Sequence, residues 1–286
     1  MPRKIVIVGG PTAVGKTDWS IELALKAGSP VISCDSRQIY KEMTIGTAVP
    51  DASQLAAVKH YFIQTVSITE DYTAGRYEIE ALDLIHRLFE QGHETLVMAG
   101  GSGFYADAVC HGLDDIPDAD PALRRNLNER IAAEGVESLW MDLRRMDPEA
   151  YASIDLANPA RVLRAVEVCL LSGRPFSSFK LREPKKRDFE IEKIALTRPR
   201  EELYRRIDAR VDKMMEEGLL EEVRSLTERR YCKALQTVGY KELFSYLDGA
   251  VTLDEAVRQI KSNTRRYARK QLTWLRRDPS VRWIEI

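Results

Sequence analysis

The chain has 286 residues, of which 44% are hydrophobic and 30% are charged. This length exceeds what one compact core usually holds, so we expect a main domain and a smaller one. Lys and Arg total 43 against 44 Asp and Glu, and the net charge of -1 excludes a global attraction to nucleic acid, so any nucleic-acid surface must be a local patch.

The cysteines and the N-terminus indicate a cytoplasmic protein. The four cysteines lack both the short pair spacing of a zinc site and the density of a disulfide scaffold, so we expect reduced thiols. The first apolar run stops at Gly9 and continues into a glycine-rich loop rather than into a cleavable segment. We therefore expect neither a signal peptide nor a membrane span.

The first hundred residues alternate between strand and helix patterns. The β-branched run Lys4–Gly9 predicts a buried strand, followed by a Gly-rich turn and a helix over Lys16–Ala27. A strand pattern recurs at Pro30–Cys34, and again at Glu94–Ala99 after a helical stretch over Ala74–Gln91. The pattern favours an open α/β sheet, in which a ligand binds beyond the carboxyl ends of the strands.

From about Leu113 the chain becomes rich in proline and charge and shows helical periodicity without a strong strand. We expect an all-helical insertion over residues 113–182, with a core formed by residues 1–112 and 183–286 and a basic linker at Lys180–Arg187. The expected core elements after the insertion are a strand at Phe189–Thr197, helices at Arg200–Leu226, Val238–Leu247 and Leu253–Leu275, and a closing strand at Val281–Ile284. The predicted fold is α/β, with a parallel-sheet core and a helical insertion domain.

A phosphate-binding loop follows the first strand. The residues that match the G-x-x-x-x-G-K-[ST] pattern are Gly10, Pro11, Thr12, Ala13, Val14, Gly15, Lys16 and Thr17. Backbone N–H groups and the helix N-terminus would hold phosphate oxygens, Lys16 would add a mobile cation, and Thr17 would contact Mg²⁺ or a phosphate oxygen. The loop predicts binding of a diphosphate or a nucleotide such as ATP, but not ATP hydrolysis. The alternative is a chance match in a tight turn.

Two further segments lie at the same predicted sheet edge. Asp35 follows the second strand, where a carboxylate can hold Mg²⁺, act as a general base, or simply cap a turn. Gly100–Gly103 follows the third strand, and its interest comes only from its place beside the phosphate loop, since glycine clusters end many strands.

Basic residues concentrate in three places, at Arg161 and Arg164, at Tyr204–Arg210, and at Arg265–Arg277. Arginines interleaved with aromatic side chains suit RNA backbone contacts and base stacking. The alternative for each stretch is a solvated helix face whose aromatic residues belong to the core.

The motifs in combination resemble the bacterial tRNA dimethylallyltransferase family. The blocks that carry the resemblance are GPTAVGKT, DSRQIYKEMTIGTAVP, GGSGFYADAV, NPARVLRAVEV, RIDARVDKMMEEGLLEEV, VGYKEL and TRRYARKQLTWLRRD. The resemblance implies a P-loop α/β core with a helical insertion, a tRNA acceptor, dimethylallyl diphosphate as donor, and Mg²⁺ as cofactor. Two positions depart from the usual pattern: Ser102 keeps the hydroxyl of a threonine, and Val49 replaces a lysine.

The resemblance also implies residue roles. Thr12–Thr17 would bind the donor diphosphate with Arg210, or with Arg206 one turn earlier, and Asp35 would take the proton from the attacking amine. Lys16, Thr17 and Arg210 are therefore expected to be catalytic beside Asp35, and Thr17 is the expected Mg²⁺ ligand. The residues that match tRNA-contacting positions are Asp35, Ser36, Arg37, Gln38, Ser102, Arg124, Ala160, Arg161, Val162, Leu163 and Arg164.

The expected function is transfer of a dimethylallyl group to N6 of adenosine 37, 3′-adjacent to the anticodon, by a monomer that grips the anticodon stem-loop. One alternative is a transferase that acts on free adenylate, which Asn158–Arg164 and the insertion argue against. Another is a P-loop kinase or NTPase switch, for which ATP turnover without prenyl transfer would be diagnostic. A non-catalytic RNA-binding module is a third, but it needs no phosphate loop.

Overall fold

The computed structural model describes residues 3–180 and 183–286. The chain forms two compact units, one over Gly112–Lys185 and one built from the segments on either side of it. The predicted insertion bounds, 113 and 182, lie within one and three residues of this division. Leu181 and Arg182, which belong to the predicted linker, lie outside the described residues.

The larger unit contains a six-stranded parallel sheet. Its strands are Lys4–Gly9 (β1), Val31–Ser33 (β2), His60–Tyr61 (β3), Thr95–Ala99 (β4), Glu190–Thr197 (β5) and Arg282–Glu285 (β6). Their order across the sheet is β3-β2-β4-β1-β5-β6. β1 is central because its β-branched side chains are buried on both faces, and it pairs in parallel with β4 and β5.

Helices pack on both faces of this sheet. Those before the smaller unit are Lys16–Ala27 (α1), Ala52–Ala57 (α2), Ala74–Glu90 (α3) and Gly103–His111 (α4). Those after it, which take the numbers α9 to α12, are Arg200–Glu216, Leu219–Ser225, Tyr240–Leu247 and Leu253–Leu275. One apolar cluster centres on Ile5, Ile7 and Tyr77, and a second centres on Val6 and Val8. The alternation along β1 therefore supplies both cores.

Most predicted elements appear within two residues of their expected bounds, with three differences. The helix expected over Arg200–Leu226 is two helices, because Gly218 adopts a left-handed conformation with φ of 98°. The short α2 and β3 were not predicted, since neither is long enough to show a periodic pattern. None of the helices in the described ranges has the length and apolar character needed to cross a membrane.

In its described part, the smaller unit contains helices and no strand. Its helices are Pro121–Glu134 (α5), Trp140–Met146 (α6), Pro148–Ser153 (α7) and Pro159–Ser172 (α8). Three of them start with proline behind an Asp or Asn cap, a combination typical of helix N-termini. Their apolar faces enclose a separate core that includes Leu139, Leu143 and Val162.

A buried ion cluster joins two helices of this unit. Glu167 on α8 is fully buried. It accepts hydrogen bonds from Arg124 Nε at 3.1 Å and Nη2 at 2.6 Å, and from Arg164 Nη1 at 2.6 Å. Arg164 also donates to the carbonyl oxygen of Pro117 at 2.6 Å. The carboxylate therefore holds α5 and the segment before it against α8.

We expect Glu167→Ala to destabilise the protein by about 3 kcal/mol, because removal of one partner leaves two partly buried guanidinium groups without their anion. Urea unfolding measures the change. Glu149→Ala, at an exposed position of α7, is the matched control and should unfold like the wild type. Equal unfolding free energies for the two variants would contradict this account of the cluster.

Candidate active site

The phosphate loop connects β1 to α1 at the carboxyl edge of the sheet. Lys16 Nζ donates to the carbonyl oxygens of Gly10 at 3.0 Å and Pro11 at 2.8 Å, so its ammonium lies across the mouth of the loop. Burial, together with the positive charge of Arg210, lowers the pKa of Lys16 to about 8. An anion bound at the loop would relieve this electrostatic cost.

Three arginines approach the loop from β5 and α9. Arg198 Nε donates to the Val14 carbonyl oxygen and Arg206 Nε to that of Ala13, both at 2.8 Å. Arg210 Nη1 lies 3.4 Å from the Thr12 hydroxyl oxygen and lines the cavity in front of the loop. Burial and the charge of Arg206 lower the pKa of Arg210. Arg210 is therefore the arginine placed to meet a ligand, whereas Arg206 supports the loop backbone.

Asp35 lies two residues beyond β2. Its Oδ1 accepts hydrogen bonds from the backbone N–H groups of Arg37 at 2.9 Å and Gln38 at 3.3 Å, which is the turn-capping role considered from the sequence. Within the described residues, Oδ2 accepts no hydrogen bond from the protein. One oxygen therefore fixes the orientation of the carboxylate, and the other is available for chemistry.

A cavity of about 300 Å³ joins these groups. Its polar lining includes Thr12, Lys16, Arg210 and Asp35. The apolar part of its wall is formed by Val211, Met214, Leu219, Val238 and Ile260. The cavity therefore fits a ligand with an anionic head and a short apolar tail.

Ser36 and Gln38 organise the segments around Asp35. The Ser36 backbone N–H donates to the Ser102 hydroxyl oxygen at 2.9 Å, and the two hydroxyl oxygens lie 2.8 Å apart. Gln38 Nε2 donates to the carbonyl oxygens of Thr47 at 3.2 Å and Ala48 at 2.8 Å. The predicted tRNA-contacting residues of the larger unit, Asp35 to Gln38 and Ser102, thus form one group, in which Arg37 lies next to the carboxylate.

Glu222 is a residue whose structural role the sequence did not reveal. Its carboxylate accepts the backbone N–H groups of Thr44, Ile45 and Gly46 at 2.7–3.0 Å and the Tyr240 hydroxyl at 2.6 Å. A Cβ at Gly46 would lie 2.6 Å from the Tyr240 ring. The glycine in the IGTA block is therefore required by close packing, and α10 and α11 hold one wall of the cavity.

Gln271 on α12 is a second residue that the sequence did not reveal. Its Oε1 accepts the Thr12 backbone N–H at 2.8 Å, and its Nε2 donates to the Gly101 carbonyl oxygen at 2.8 Å. Gln271 is only 8% exposed. The available signal was a polar residue at a position where the period of α12 predicts a buried one.

A larger cavity of about 710 Å³ lies beside the first. Ser36, Gly101, Tyr267 and Gln271 line both cavities, and Phe104 and Trp274 add aromatic surface to the larger one. Trp274 Nε1 donates to Asp107 Oδ2 at 2.9 Å. Space for a planar apolar ligand is therefore available next to Asp35.

The donor set for a metal is small. Thr17 and Asp35 both line a cavity of about 50 Å³ beside the loop. Among the described residues, no three His, Cys, Asp or Glu side chains are grouped to hold a metal. One hydroxyl and one carboxylate fit Mg²⁺, which keeps several waters and binds largely through the phosphates of its partner.

The predicted tRNA-contacting residues of the smaller unit differ in their surroundings: two bind a buried carboxylate, two lie in the core and two are exposed. Arg124 and Arg164 bind Glu167, and the side chains of Val162 and Leu163 lie in the core of the unit. The exposed residues of the predicted stretch are Ala160 and Arg161.

Part of the basic character of α9 and α12 is used in packing these helices together. Arg265 Nη1 pairs with Asp208 at 2.6 Å, Lys261 Nζ pairs with Asp212 at 2.6 Å, and Arg269 Nη1 donates to the Tyr204 hydroxyl at 2.9 Å. These charges join two helices that flank the phosphate loop, so they are not simply a solvated face.

A parallel sheet with a phosphate loop, a carboxylate beside it and an apolar cavity in front defines a P-loop-like protein whose cavity is suited to a phosphorylated apolar ligand. A family model described as IPP transferase matches residues 38–278. The chain belongs to this IPP transferase family.

Relatives of similar length support this placement. The chain is 50% identical over 99% of its length to tRNA dimethylallyltransferase 1 of Bacteroides thetaiotaomicron, covering 92% of that protein. It is 51% identical to tRNA dimethylallyltransferase 2 of Porphyromonas gingivalis, covering 98% of this chain and 93% of the relative.

Solved structures show the same fold. A full-length tRNA isopentenylpyrophosphate transferase from Bacillus halodurans aligns with a TM-score of 0.72 at 39% identity, over 99% of this chain and 90% of that one. A eukaryotic dimethylallyltransferase acting on tRNA aligns with a TM-score of 0.83 at 25% identity, over 99% of this chain and 74% of that one.

We expect affinity for inorganic diphosphate to fall as the pH rises through about 8, the pKa of Lys16 in the free protein, because the ammonium is lost above it. Loss of one charge-assisted contact would weaken binding about tenfold between pH 7 and 9.5. Titration calorimetry over this range measures the effect.

The control for this pH profile is Lys16→Arg, whose guanidinium stays protonated throughout. The ionisation of diphosphate itself is common to both proteins, so the difference between their profiles isolates Lys16. Parallel profiles for the wild type and Lys16→Arg would contradict the prediction.

Proposed function

We propose that this protein transfers the dimethylallyl group of dimethylallyl diphosphate to N6 of adenosine 37 in tRNA, next to the anticodon on its 3′ side, and releases diphosphate. The observation that carries the proposal is the single cavity that joins a cationic loop, an apolar wall and the free oxygen of Asp35. The family and its relatives, whose names specify dimethylallyl transfer and tRNA, support the same chemistry.

The leaving group is held by the loop and its cations. As the C1–O bond of the donor breaks, its electron pair moves to the diphosphate, and negative charge grows there. The backbone N–H groups of the loop, Lys16 and Arg210 lie where that charge develops, in a partly desolvated site where electrostatic stabilisation is strong. The apolar wall shields the allylic group from water.

Mg²⁺ is the cofactor we propose, with the hydroxyl of Thr17 as its protein ligand, while Asp35, which lines the same small cavity, serves in proton transfer. When bound it supplies positive charge to the diphosphate. Thr17, at the start of α1, contributes the hydroxyl ligand, and the N-terminus of α1 faces the same side of the anion.

Asp35 acts as the general base. The N6 amine of adenine is a weak nucleophile because its lone pair is delocalised into the ring, so loss of a proton must accompany formation of the N6–C1 bond. Oδ2 accepts that proton, while the two backbone N–H groups on Oδ1 keep the carboxylate oriented.

The acceptor base must leave its stack, since N6 cannot reach the cavity from within an anticodon loop. The larger cavity, lined by Phe104, Tyr267 and Trp274, is suited to an extruded base, and it meets the donor cavity at Ser36. Exposed Arg161 of the smaller unit is proposed to contact the phosphates of the anticodon stem-loop. All groups of the reaction come from one chain, so we propose a monomer, which acts on tRNA in the cytoplasm.

The test is incubation of the purified protein with unmodified tRNA, Mg²⁺ and radiolabelled dimethylallyl diphosphate, followed by nucleoside analysis, with AMP as a parallel acceptor. We expect label in tRNA as N6-dimethylallyladenosine and none in AMP. Label in AMP alone would identify a free-nucleotide transferase. No label with either acceptor, together with ATP turnover, would identify a kinase or NTPase.

We expect Asp35→Ala to lower the single-turnover rate of transfer by about 10²–10⁴-fold, because general-base assistance is lost. Diphosphate affinity should stay within a few-fold of the wild type, since Lys16 and Arg210 are unchanged. Rapid-quench measurement with saturating substrates gives the rate. A rate near that of the wild type would exclude Asp35 as the base.

A further inference from the structure

Gln271 connects two loops that come from different strands. Its carboxamide accepts the backbone N–H of Thr12 in the phosphate loop and donates to the carbonyl oxygen of Gly101, which follows β4. Both distances are 2.8 Å. The side chain is buried, so water competes little for these bonds.

Gly101 continues this connection to Asp35. A Cβ on Gly101 would lie 2.7 Å from Gln271 Nε2 and 3.1 Å from Asp35 Oδ2. The backbone at Gly101 therefore packs between the carboxamide and the carboxylate, with no room for a side chain. A continuous path of contacts runs from Thr12 through Gln271 and Gly101 to Asp35.

We propose that Gln271 is a positioning residue that sets the separation between the diphosphate loop and the carboxylate of Asp35. The proposal rests on the proposed function, in which the loop holds the leaving group and Asp35 takes the proton. The C1–O bond breaks on one side of C1 while the N6–C1 bond forms on the other, so the loop and the carboxylate must both be correctly placed relative to C1. A displacement of about 1 Å costs about 10²-fold in rate.

A carboxamide is the side chain that meets this requirement at α12. It offers an acceptor and a donor on one rigid plane, matching an N–H on one loop and a C=O on the other. A glutamate would place a second oxygen against the Gly101 carbonyl oxygen and close to Asp35 Oδ2. A leucine of similar size would leave both backbone groups unpaired.

The side chain does not serve primarily as a ligand for the anion. Its acceptor oxygen is occupied by the Thr12 N–H, and one of the two N–H groups of its Nε2 is occupied by the Gly101 carbonyl oxygen. Loss of Gln271 should therefore affect the chemical step more than the binding of either substrate, which separates a positioning role from a binding role.

The experiment compares Gln271→Leu and Gln271→Glu with the wild type in rapid-quench single turnover at saturating tRNA and dimethylallyl diphosphate. Gln259→Leu is the matched control, since Gln259 lies on the same helix and its side chain, among the described residues, hydrogen-bonds only within that helix, to Glu255 at 2.9 Å. Affinities for inorganic diphosphate and for tRNA and the thermal unfolding midpoint are measured on the same samples.

We expect Gln271→Leu to lower the single-turnover rate by about 10²-fold. Its diphosphate affinity should fall by less than about tenfold, because only one of the two lost hydrogen bonds is made to the phosphate loop, and its tRNA affinity should stay within about twofold. Gln271→Glu keeps an acceptor for Thr12 but adds a negative charge beside the anion site, so its rate and its diphosphate affinity should both fall. Gln259→Leu should transfer at the wild-type rate.

Two results would overturn the proposal. One is a single-turnover rate within about threefold of the wild type in a folded Gln271→Leu or Gln271→Glu protein. The other is a loss of diphosphate affinity as large as the loss of rate in Gln271→Leu, which would make Gln271 a binding residue. Failure of the proposed function itself would be distinct, because the wild-type protein would then label no tRNA.

Discussion

The close approach of the loops that follow β2 and β4 is the constraint on which the site depends. A Cβ at Gly100 would lie 2.5 Å from the carbonyl carbon of Cys34, so these two segments can approach each other only because Gly100 has no side chain. This contact brings the Ser102 hydroxyl to Ser36 and the Gly101 backbone to Asp35. The carboxylate is thereby held by its surroundings before any ligand arrives, which is how a preorganised site lowers a barrier.

The cations of the site are held at an electrostatic cost. Burial lowers the pKa values of both Lys16 and Arg210. In addition, the charge of Arg210 lowers the pKa of Lys16, and the charge of Arg206 lowers the pKa of Arg210. In compensation, Lys16 donates to loop carbonyl oxygens, and Arg206 and Arg198 hold the loop from outside. Such an arrangement favours a multiply charged anion over a neutral ligand, as the proposed binding of an allylic diphosphate at a nucleotide-type loop requires.

The same residue types serve different purposes in the two units. In the smaller unit, Arg124 and Arg164 neutralise buried Glu167, so their first role is to hold helices together. In the larger unit, Arg210 lines a cavity without a carboxylate partner among the described residues, so its charge is available to a ligand. Arginine content alone therefore did not distinguish a nucleic-acid surface from a structural cluster; the distinction came from what each guanidinium contacts.

The amino-acid sequence by itself determined the strand–loop–helix start, the bounds of α1 and α12, and the position of Asp35 at the sheet edge, because periodicity, capping and glycine patterns act over a few neighbouring residues. Only the tertiary structure revealed Gln271, which is 259 residues from Thr12 in sequence, and the Glu222 contacts with the IGTA block. It also distinguished the role of Arg210, which lines the cavity, from that of Arg206, which supports the loop backbone. These are contacts between distant segments, and local patterns carry no information about which distant partner a buried polar side chain will meet.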